Sequence, residues 1–130
     1  MILVDTHVVL WLAFEPERIS KNAKAAIDDA RQNGDGLAVS GITLLEIATG
    51  YGKRRVSLEM GLESFLRDVE ERFVLLAISA RACARALTLP ASYPKDPADR
   101  LIGATALVEG LALVTMDREI RRSRVVRTIW

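Results

Sequence analysis

The sequence is poor in the residues that tie a small chain together or bind soft metals. It has one cysteine, Cys83, and one histidine, His7. A single cysteine excludes an internal disulfide framework, so we expect a reducing compartment, the cytoplasm. Cys83 lies in an alanine-rich helical stretch and is expected in the core. With so few nitrogen and sulfur ligands, a zinc site is disfavoured, and His7 is expected to pack or hydrogen-bond near the first helix.

Long apolar runs are also missing. The first five residues carry no basic segment and reach a carboxylate at Asp5, which excludes a signal peptide or a membrane span at this end. Half of the 130 residues are nevertheless hydrophobic, which is sufficient for one packed core. We find no repeat, low-complexity tract or linker, and we predict a single domain over residues 1–130.

Five short apolar runs alternate with helical patterns along the chain. Such alternation predicts a parallel sheet with helical crossovers. Right-handed crossovers then give an α/β fold of three layers, α/β/α, with a central, mostly parallel five-stranded sheet. The predicted strands are 2–4, 37–39, 74–78, 112–114 and 125–129.

Polar and small residues mark where the predicted helices begin and end. Ser20, Ser79 and Asp96 are typical N-caps, and Pro97 fits the first helical position. Gly50 is expected to end the helix that begins near residue 41. The segment 90–97 is predicted to be a surface loop.

Four acids stand just beyond apolar runs: Asp5, Glu46, Asp99 and Asp117. Parallel strands end at one edge of their sheet, so these side chains should converge there. Two carboxylates about 4 Å apart repel by roughly 4 kcal/mol at an effective dielectric of 20, and a divalent cation reverses that sign. The all-oxygen set predicts a Mg²⁺ or Mn²⁺ site.

Each acid also has a purely structural interpretation. Asp5 and Asp117 could cap helical turns, and Asp99 could complement a helix dipole. The segment from Thr43 to Glu46 matches a capping box. Capping alone does not explain why acids were chosen at four converging junctions, because serine and threonine cap without mutual repulsion.

The charge balance hides a basic surface. The 18 basic and 17 acidic residues nearly cancel, but neutralising the four acids with metal leaves a basic excess that could attract a polyanion. Ordinary solvated arginines remain the alternative. The basic residues concentrate at 53–55 and at arginines 118, 121, 122, 124 and 127.

Four segments in a fixed order resemble the PIN-domain family, and most closely the VapC toxins of type II toxin–antitoxin pairs. No one segment is specific, but together they run from residue 1 to about residue 120. The segments are MILVDTHVVLW at 1–11, VSGITLLEIA at 39–48, DPADRLI at 96–102 and LVTMDR at 113–118.

The resemblance implies a Mg²⁺- or Mn²⁺-dependent endoribonuclease that cuts single-stranded segments, such as tRNA or rRNA loops, and leaves a 5′-phosphate. Asp5, Asp99 and Asp117 would hold metal, and Glu46 would assist the ion or orient the attacking water. The supporting polar residues would be Thr6, Ser40, Asp96 and Thr115, and the residues predicted to contact RNA phosphates are Arg100, Arg118, Arg121 and Arg122.

The resemblance also implies a VapB-like antitoxin, with a homodimer or a toxin–antitoxin hetero-oligomer. Trp11, Leu12 and Phe14 could form the antitoxin groove, or could be ordinary core residues. Two other functions stay open. The first is an aspartyl-type phosphatase or phosphoacceptor with Asp5 as nucleophile, which is disfavoured because His7 occupies the place of the expected second acid. The second is a non-catalytic binding module on the same fold.

Overall fold

The computed structural model describes all 130 residues as five short strands and seven α-helices, with one 3₁₀ turn at Pro16–Arg18. In chain order the elements are β1 Ile2–Val4, α1 Thr6–Phe14, α2 Lys21–Gln32, β2 Leu37–Ser40, α3 Gly41–Gly52, α4 Leu62–Arg72, β3 Val74–Leu76, α5 Ala80–Leu87, α6 Pro97–Glu109, β4 Leu113–Val114, α7 Arg118–Ser123 and β5 Thr128–Ile129.

The strands form one sheet in the order β3-β2-β1-β4-β5, and all four neighbouring pairs are parallel. The predicted α/β/α fold is therefore confirmed. The chain winds outward from β1 through β2 to β3, then crosses back to place β4 on the other side of β1. This reversal creates a topological switch point between β1 and β4, where open α/β sheets bind ligands.

Successive strand residues face opposite sides of the sheet, and each side carries its own buried cluster. Val4, Val39 and Val114 pack beneath α1 to α4. Leu3, Ala38 and Leu113 pack against the other layer, formed by α6, α7 and the segment that follows α5. Burial of each large aliphatic side chain contributes roughly 1.5–3 kcal/mol, so the sheet is held from both faces.

Several predicted boundaries were wrong. Helix α3 continues through Gly50 to Gly52, because Gly50 serves close packing: a Cβ there would lie 2.9 Å from a methyl of Val56. The fifth strand keeps only two residues, since its partner β4 offers only two for pairing. Cys83 is exposed rather than in the core.

The loop before α6 is partly buried, contrary to the prediction of a surface loop. Tyr93 is 1% exposed, and its hydroxyl donates to the backbone carbonyl of Asp99 at 2.8 Å. A Cβ on Gly103 would overlap the Tyr93 ring, so the glycine allows the ring to lie directly on α6. The first turn of α6 is thereby fixed from the loop side.

No helix combines the length and the apolar character needed to cross a membrane.

Candidate metal centre

Asp5 lies at the switch point. It follows β1, and because Val4 pairs with Val114, the next residue along each strand brings Asp5 beside Thr115. Asp5 is 3% exposed, and both of its side-chain oxygens are held. Oδ1 accepts from the Thr6 backbone N–H at 2.8 Å and Oδ2 accepts from the Thr115 hydroxyl at 2.6 Å.

Thr115 also connects Asp5, which follows β1, with Asp117, which follows β4. Its hydroxyl oxygen accepts from the Asp117 backbone N–H at 3.0 Å while its proton goes to Asp5. Asp117 caps α7 by accepting from Ile120 N–H at 3.0 Å. Asp5 and Asp117 therefore do cap helices, as the structural interpretation held, and they also line adjoining cavities at the same edge of the sheet.

Glu46 does not form a capping box. The N-cap of α3 is Ser40, whose hydroxyl accepts from Ile42 N–H at 3.3 Å, and Glu46 lies more than a turn into the helix. Its Oε1 instead accepts from the Thr6 hydroxyl at 2.6 Å.

A buried hydroxyl that the sequence analysis missed completes this chain of hydrogen bonds. Thr43 Oγ1 lies 3.0 Å from Thr6 Oγ1 and is fully buried. Because the single Thr6 proton goes to Glu46, Thr43 must be the donor to Thr6. The pair fixes one oxygen of Glu46 and leaves Oε2 without a protein partner.

Helix α6 supplies two acids from its first turn. Asp96 is the N-cap and accepts from Asp99 N–H at 3.0 Å, with Pro97 in the first helical position as predicted. Carboxylate oxygens of Glu46, Asp96 and Asp99 lie within 4.8 Å of one another. Asp96 thus performs both roles considered for it, as a cap and as a member of the acidic cluster.

The predicted acids occupy two adjoining cavities. Asp5, Glu46 and Asp99 line one of about 540 Å³ together with Thr6 and Asp96. Asp117 lines the other, of about 690 Å³, which shares Asp96 and Asp99 with the first. The structure thus brings all four acids to one edge of the sheet, although the tightest group contains Asp96 in place of Asp5 and Asp117.

This arrangement disfavours the ionised form of the acids. Burial, followed by the charges of Asp5, Asp96, Asp117 and Glu46, raises the pKa of Asp99 to about 7. Burial also raises the pKa of Glu46, against the opposing hydrogen bond from Thr6. Neither acid has a basic side chain as a salt-bridge partner. A divalent cation would relieve this repulsion.

The donors fit a hard cation. Every side chain of the acidic cluster offers carboxylate oxygen, which suits Mg²⁺ or Mn²⁺. The His7 ring is already engaged: Nε2 accepts from Met116 N–H at 3.3 Å, which leaves the proton on Nδ1, 3.7 Å from Asp5 Oδ2. His7 therefore hydrogen-bonds to the Met116 backbone and packs against Trp11, as expected for a packing or hydrogen-bonding residue near the first helix.

The arginines divide into two groups. Arg100 donates from its guanidinium to the backbone carbonyls of Ala86, Leu89 and Pro94, at 2.8–3.2 Å, so it braces the loop before α6 rather than facing RNA. The others form no salt bridge, and two of them line the cavity of Asp117. This second group is Arg118, Arg121, Arg122 and Arg124, which together line a pocket of about 440 Å³.

The three apolar residues proposed for a groove also divide. Trp11 is buried in the core, between the His7 and Trp130 rings. Leu12 and Phe14 line a groove of about 250 Å³ between α1 and α4. Phe14 is 45% exposed and stacks on Phe65 with ring centroids 5.3 Å apart.

A parallel sheet with carboxylates at its switch point defines an α/β protein with an acidic, oxygen-ligand site. The PIN domain family model matches residues 2–125. Ribonuclease VapC22 of Mycobacterium tuberculosis (strain ATCC 25618 / H37Rv) is 40% identical over 131 residues, covering 99% of this chain and 98% of that protein.

Solved structures agree on the fold. VapBC2 of Rickettsia felis, bound to a DNA fragment from its promoter, aligns with a TM-score of 0.72 at 19% identity, over 98% of this chain and 97% of that one. DNA-bound VapBC of Salmonella typhimurium aligns with a TM-score of 0.71 at 22% identity, again over 98% of this chain and 97% of that one. The chain belongs to the PIN-domain family, within its VapC ribonuclease branch.

The raised pKa of Asp99 predicts an unusual pH dependence of stability in the metal-free protein. The folded state holds this proton more tightly than the unfolded state, so the contribution of Asp99 is greatest below pH 4 and is lost as the pH rises through about 7. In EDTA at pH 8, Asp99→Asn should therefore raise the free energy of unfolding by about 1–2 kcal/mol, discounted for partial solvent screening, and by less at pH 5.

Urea denaturation at both pH values measures this difference. Asp28→Asn, on the exposed face of α2, is the matched control and should have the same small effect at pH 5 and pH 8. An Asp99→Asn variant with no greater gain at pH 8 than at pH 5 would contradict the electrostatic account.

Proposed function

We propose that the protein is a divalent-metal-dependent endoribonuclease that cuts single-stranded RNA and acts as the toxin of a toxin–antitoxin pair. The observation that carries the proposal is the convergence of Asp5, Glu46, Asp99 and Asp117 at the switch point of a VapC-family fold. Residues 1–130 act as one unit. An RNA substrate and the single cysteine both fit action in the cytoplasm.

The four predicted acids would hold Mg²⁺ or Mn²⁺, and Asp96 would contribute to the same negative field. When bound, such an ion supplies an activated water and offsets the charge that develops on the phosphate. Asp5 is held ready for this role by Thr115 and by the first N–H of α1.

Glu46 acts through the oxygen that the protein leaves free. Oε1 is fixed by Thr6 and Glu46 lines the cavity, so the unpartnered Oε2 can orient the attacking water or accept its proton. The raised pKa of Glu46 favours proton acceptance near neutral pH. Thr43 and Thr6 are positioning residues for this carboxylate.

RNA reaches the site as an unpaired strand, because a duplex would hold its backbone away from a strand-edge crevice. Arg118, Arg121 and Arg122 lie beside the cavity of Asp117 and contact neighbouring phosphates. The phosphoacceptor alternative is not favoured, because His7 occupies the position of the second acid that such a mechanism needs and the 40% identical relative is a ribonuclease. No observation favours the non-catalytic module.

The partner is a VapB-like antitoxin, for which the groove between α1 and α4 is the proposed docking surface. The groove is mostly apolar, with Arg31, Asp68 and Arg72 among its lining residues, and suits an amphipathic segment. Assembly as a homodimer or a toxin–antitoxin hetero-oligomer remains part of this proposal.

Cleavage of single-stranded RNA should require both the ion and the acids. We expect cutting in Mg²⁺ or Mn²⁺, none in EDTA, and at least about 100-fold slower cutting by Asp5→Asn or Asp99→Asn, since each replaces a charged ligand with a neutral amide. A gel assay measures the rates, with Asp28→Asn as a parent-like control. Undiminished cutting by folded Asp5→Asn and Asp99→Asn variants would refute the proposal.

The salt dependence of RNA binding should report the arginine contacts. Removing two phosphate contacts with Arg121→Ala and Arg122→Ala should reduce the slope of log affinity against log salt by about 1.4 for a single strand. The control pair, Arg72→Ala and Arg127→Ala, lies just before β3 and β5, at the opposite edge of the sheet. An unchanged slope in the first pair, or an equal loss in both, would reject this placement.

Antitoxin docking should depend on the groove between α1 and α4. Phe14→Asp should weaken the complex with the cognate antitoxin while leaving RNA cleavage by the free protein unchanged. Leu87→Asp, at an apolar residue 86% exposed and outside the groove, is the control. Size-exclusion chromatography with light scattering measures both complexes; an intact complex with Phe14→Asp would move the interface elsewhere.

A further inference from the structure

Trp130 is the only aromatic residue lining the cavity of Asp117. The cavity, of about 690 Å³, places this half-buried residue among arginines, acids and Met116. None of the roles described so far uses it. The indole packs against the buried cluster that contains Trp11 and leaves part of its surface exposed to the cavity. That exposed part lies among charged groups, where it offers an apolar π surface to a ligand.

The position of the indole is fixed by its neighbours. Trp130 directly follows β5, so it lies at the same sheet edge as the acids. Its ring centroid lies 5.8 Å from that of Trp11, and the Trp11 ring is itself 5.0 Å from the His7 ring and 4.2 Å from the Arg18 guanidinium. The Trp130 carbonyl accepts from the Asn22 side chain at 3.3 Å.

This row of rings leads directly to the acidic site. His7, at one end, hydrogen-bonds to the backbone of Met116 and lies beside Asp5. Met116 and Trp130 line the same cavity. A ring that is already ordered by such contacts loses little conformational entropy when a flat ligand packs against it.

The chemistry around the ring defines the ligand. Arg118 and Arg121 offer unpaired guanidinium groups for phosphate, and the indole offers an apolar π surface within the same cavity. A bare phosphate would not need the indole, and an apolar ligand would not need the arginines. An unpaired nucleotide needs both, because its base stacks while its phosphate is neutralised.

We infer that Trp130 is a base-stacking residue that receives a nucleobase adjoining the cleaved phosphate. The inference rests on the proposed ribonuclease function and adds to it a specificity determinant: the nucleotide next to the cut must be unstacked and unpaired. Stacking of this kind accepts any base, so it selects strand state rather than sequence.

The test separates stacking from packing by varying the ligand as well as the protein. Binding is measured in Mg²⁺ in an Asp5→Asn background, which keeps the RNA intact. The two ligands are a ten-nucleotide oligoadenylate and an abasic ribose-phosphate strand of equal length and charge. Trp130→Leu should weaken oligoadenylate binding about 5- to 100-fold and abasic binding less than about twofold. Equal weakening of both strands would overturn the inference, because it would indicate a purely structural ring.

Tryptophan fluorescence provides a second measurement that does not require Trp130→Leu to fold. The chain has two tryptophans, and Trp11 is buried, so quenching by oligoadenylate should come from Trp130 and disappear in the conservative Trp130→Phe variant. Binding by the Asp5→Asn protein without quenching would also overturn the inference.

Failure of the stacking inference can be distinguished from failure of the proposed ribonuclease function. RNA cleavage by the parent, combined with unselective effects of Trp130→Leu, would reject stacking and leave the nuclease standing. No cleavage by the parent and no binding of either strand would reject the nuclease and the stacking residue together.

Discussion

Repulsion among carboxylates at the carboxyl edge of the sheet is the constraint on which the rest of the structure depends. The acids converge because β1 and β4 are adjacent and because the chain reverses its winding there. The protein tolerates the convergence by surrounding the acids with donors. Helix N-termini hold Asp5, Asp96 and Asp117, and threonine hydroxyls hold Asp5 and Glu46. These donors stabilise four of the acids without neutralising them, whereas the Asp99 carboxylate accepts no protein hydrogen bond and its pKa is raised to about 7. The negative field that remains would favour a divalent cation.

Capping a helix and lining the acidic cavities are therefore compatible in this fold. A capping carboxylate gives one oxygen to the first turn of its helix, and the other oxygen remains available to the cavity. Asp117 and Asp96 each accept one backbone N–H through a single oxygen in this way. The acids that cap the helices also line the acidic cavities. The same positions therefore serve both helix initiation and the candidate site.

Most of the fold was predictable because its signals are local. Apolar runs predicted where the strands lie, and Asp96 with Pro97 predicted where α6 begins, since capping depends on residues three apart. The convergence of the acids followed from the parallel sheet. What could not be predicted depends on contacts distant in sequence: Thr43 meets Thr6 across 37 residues, and Arg100 finds its three carbonyls only once the loop before α6 has folded. Gly50 was misread because the turn after α3 folds back and brings the Val56 side chain against it, which residue type alone does not indicate.

The bracing of α6 determines how this site can change. Asp96 and Asp99 belong to one helical turn, which is tied to the preceding loop by Tyr93 and Arg100. Any insertion in that loop would move both carboxylates as a unit relative to Asp5 and Glu46, which are anchored to other elements. Insertions between α5 and α6 would thus change the distances from Asp96 and Asp99 to Asp5 and Glu46 together. Substitutions on the exposed face of α2 would not change them.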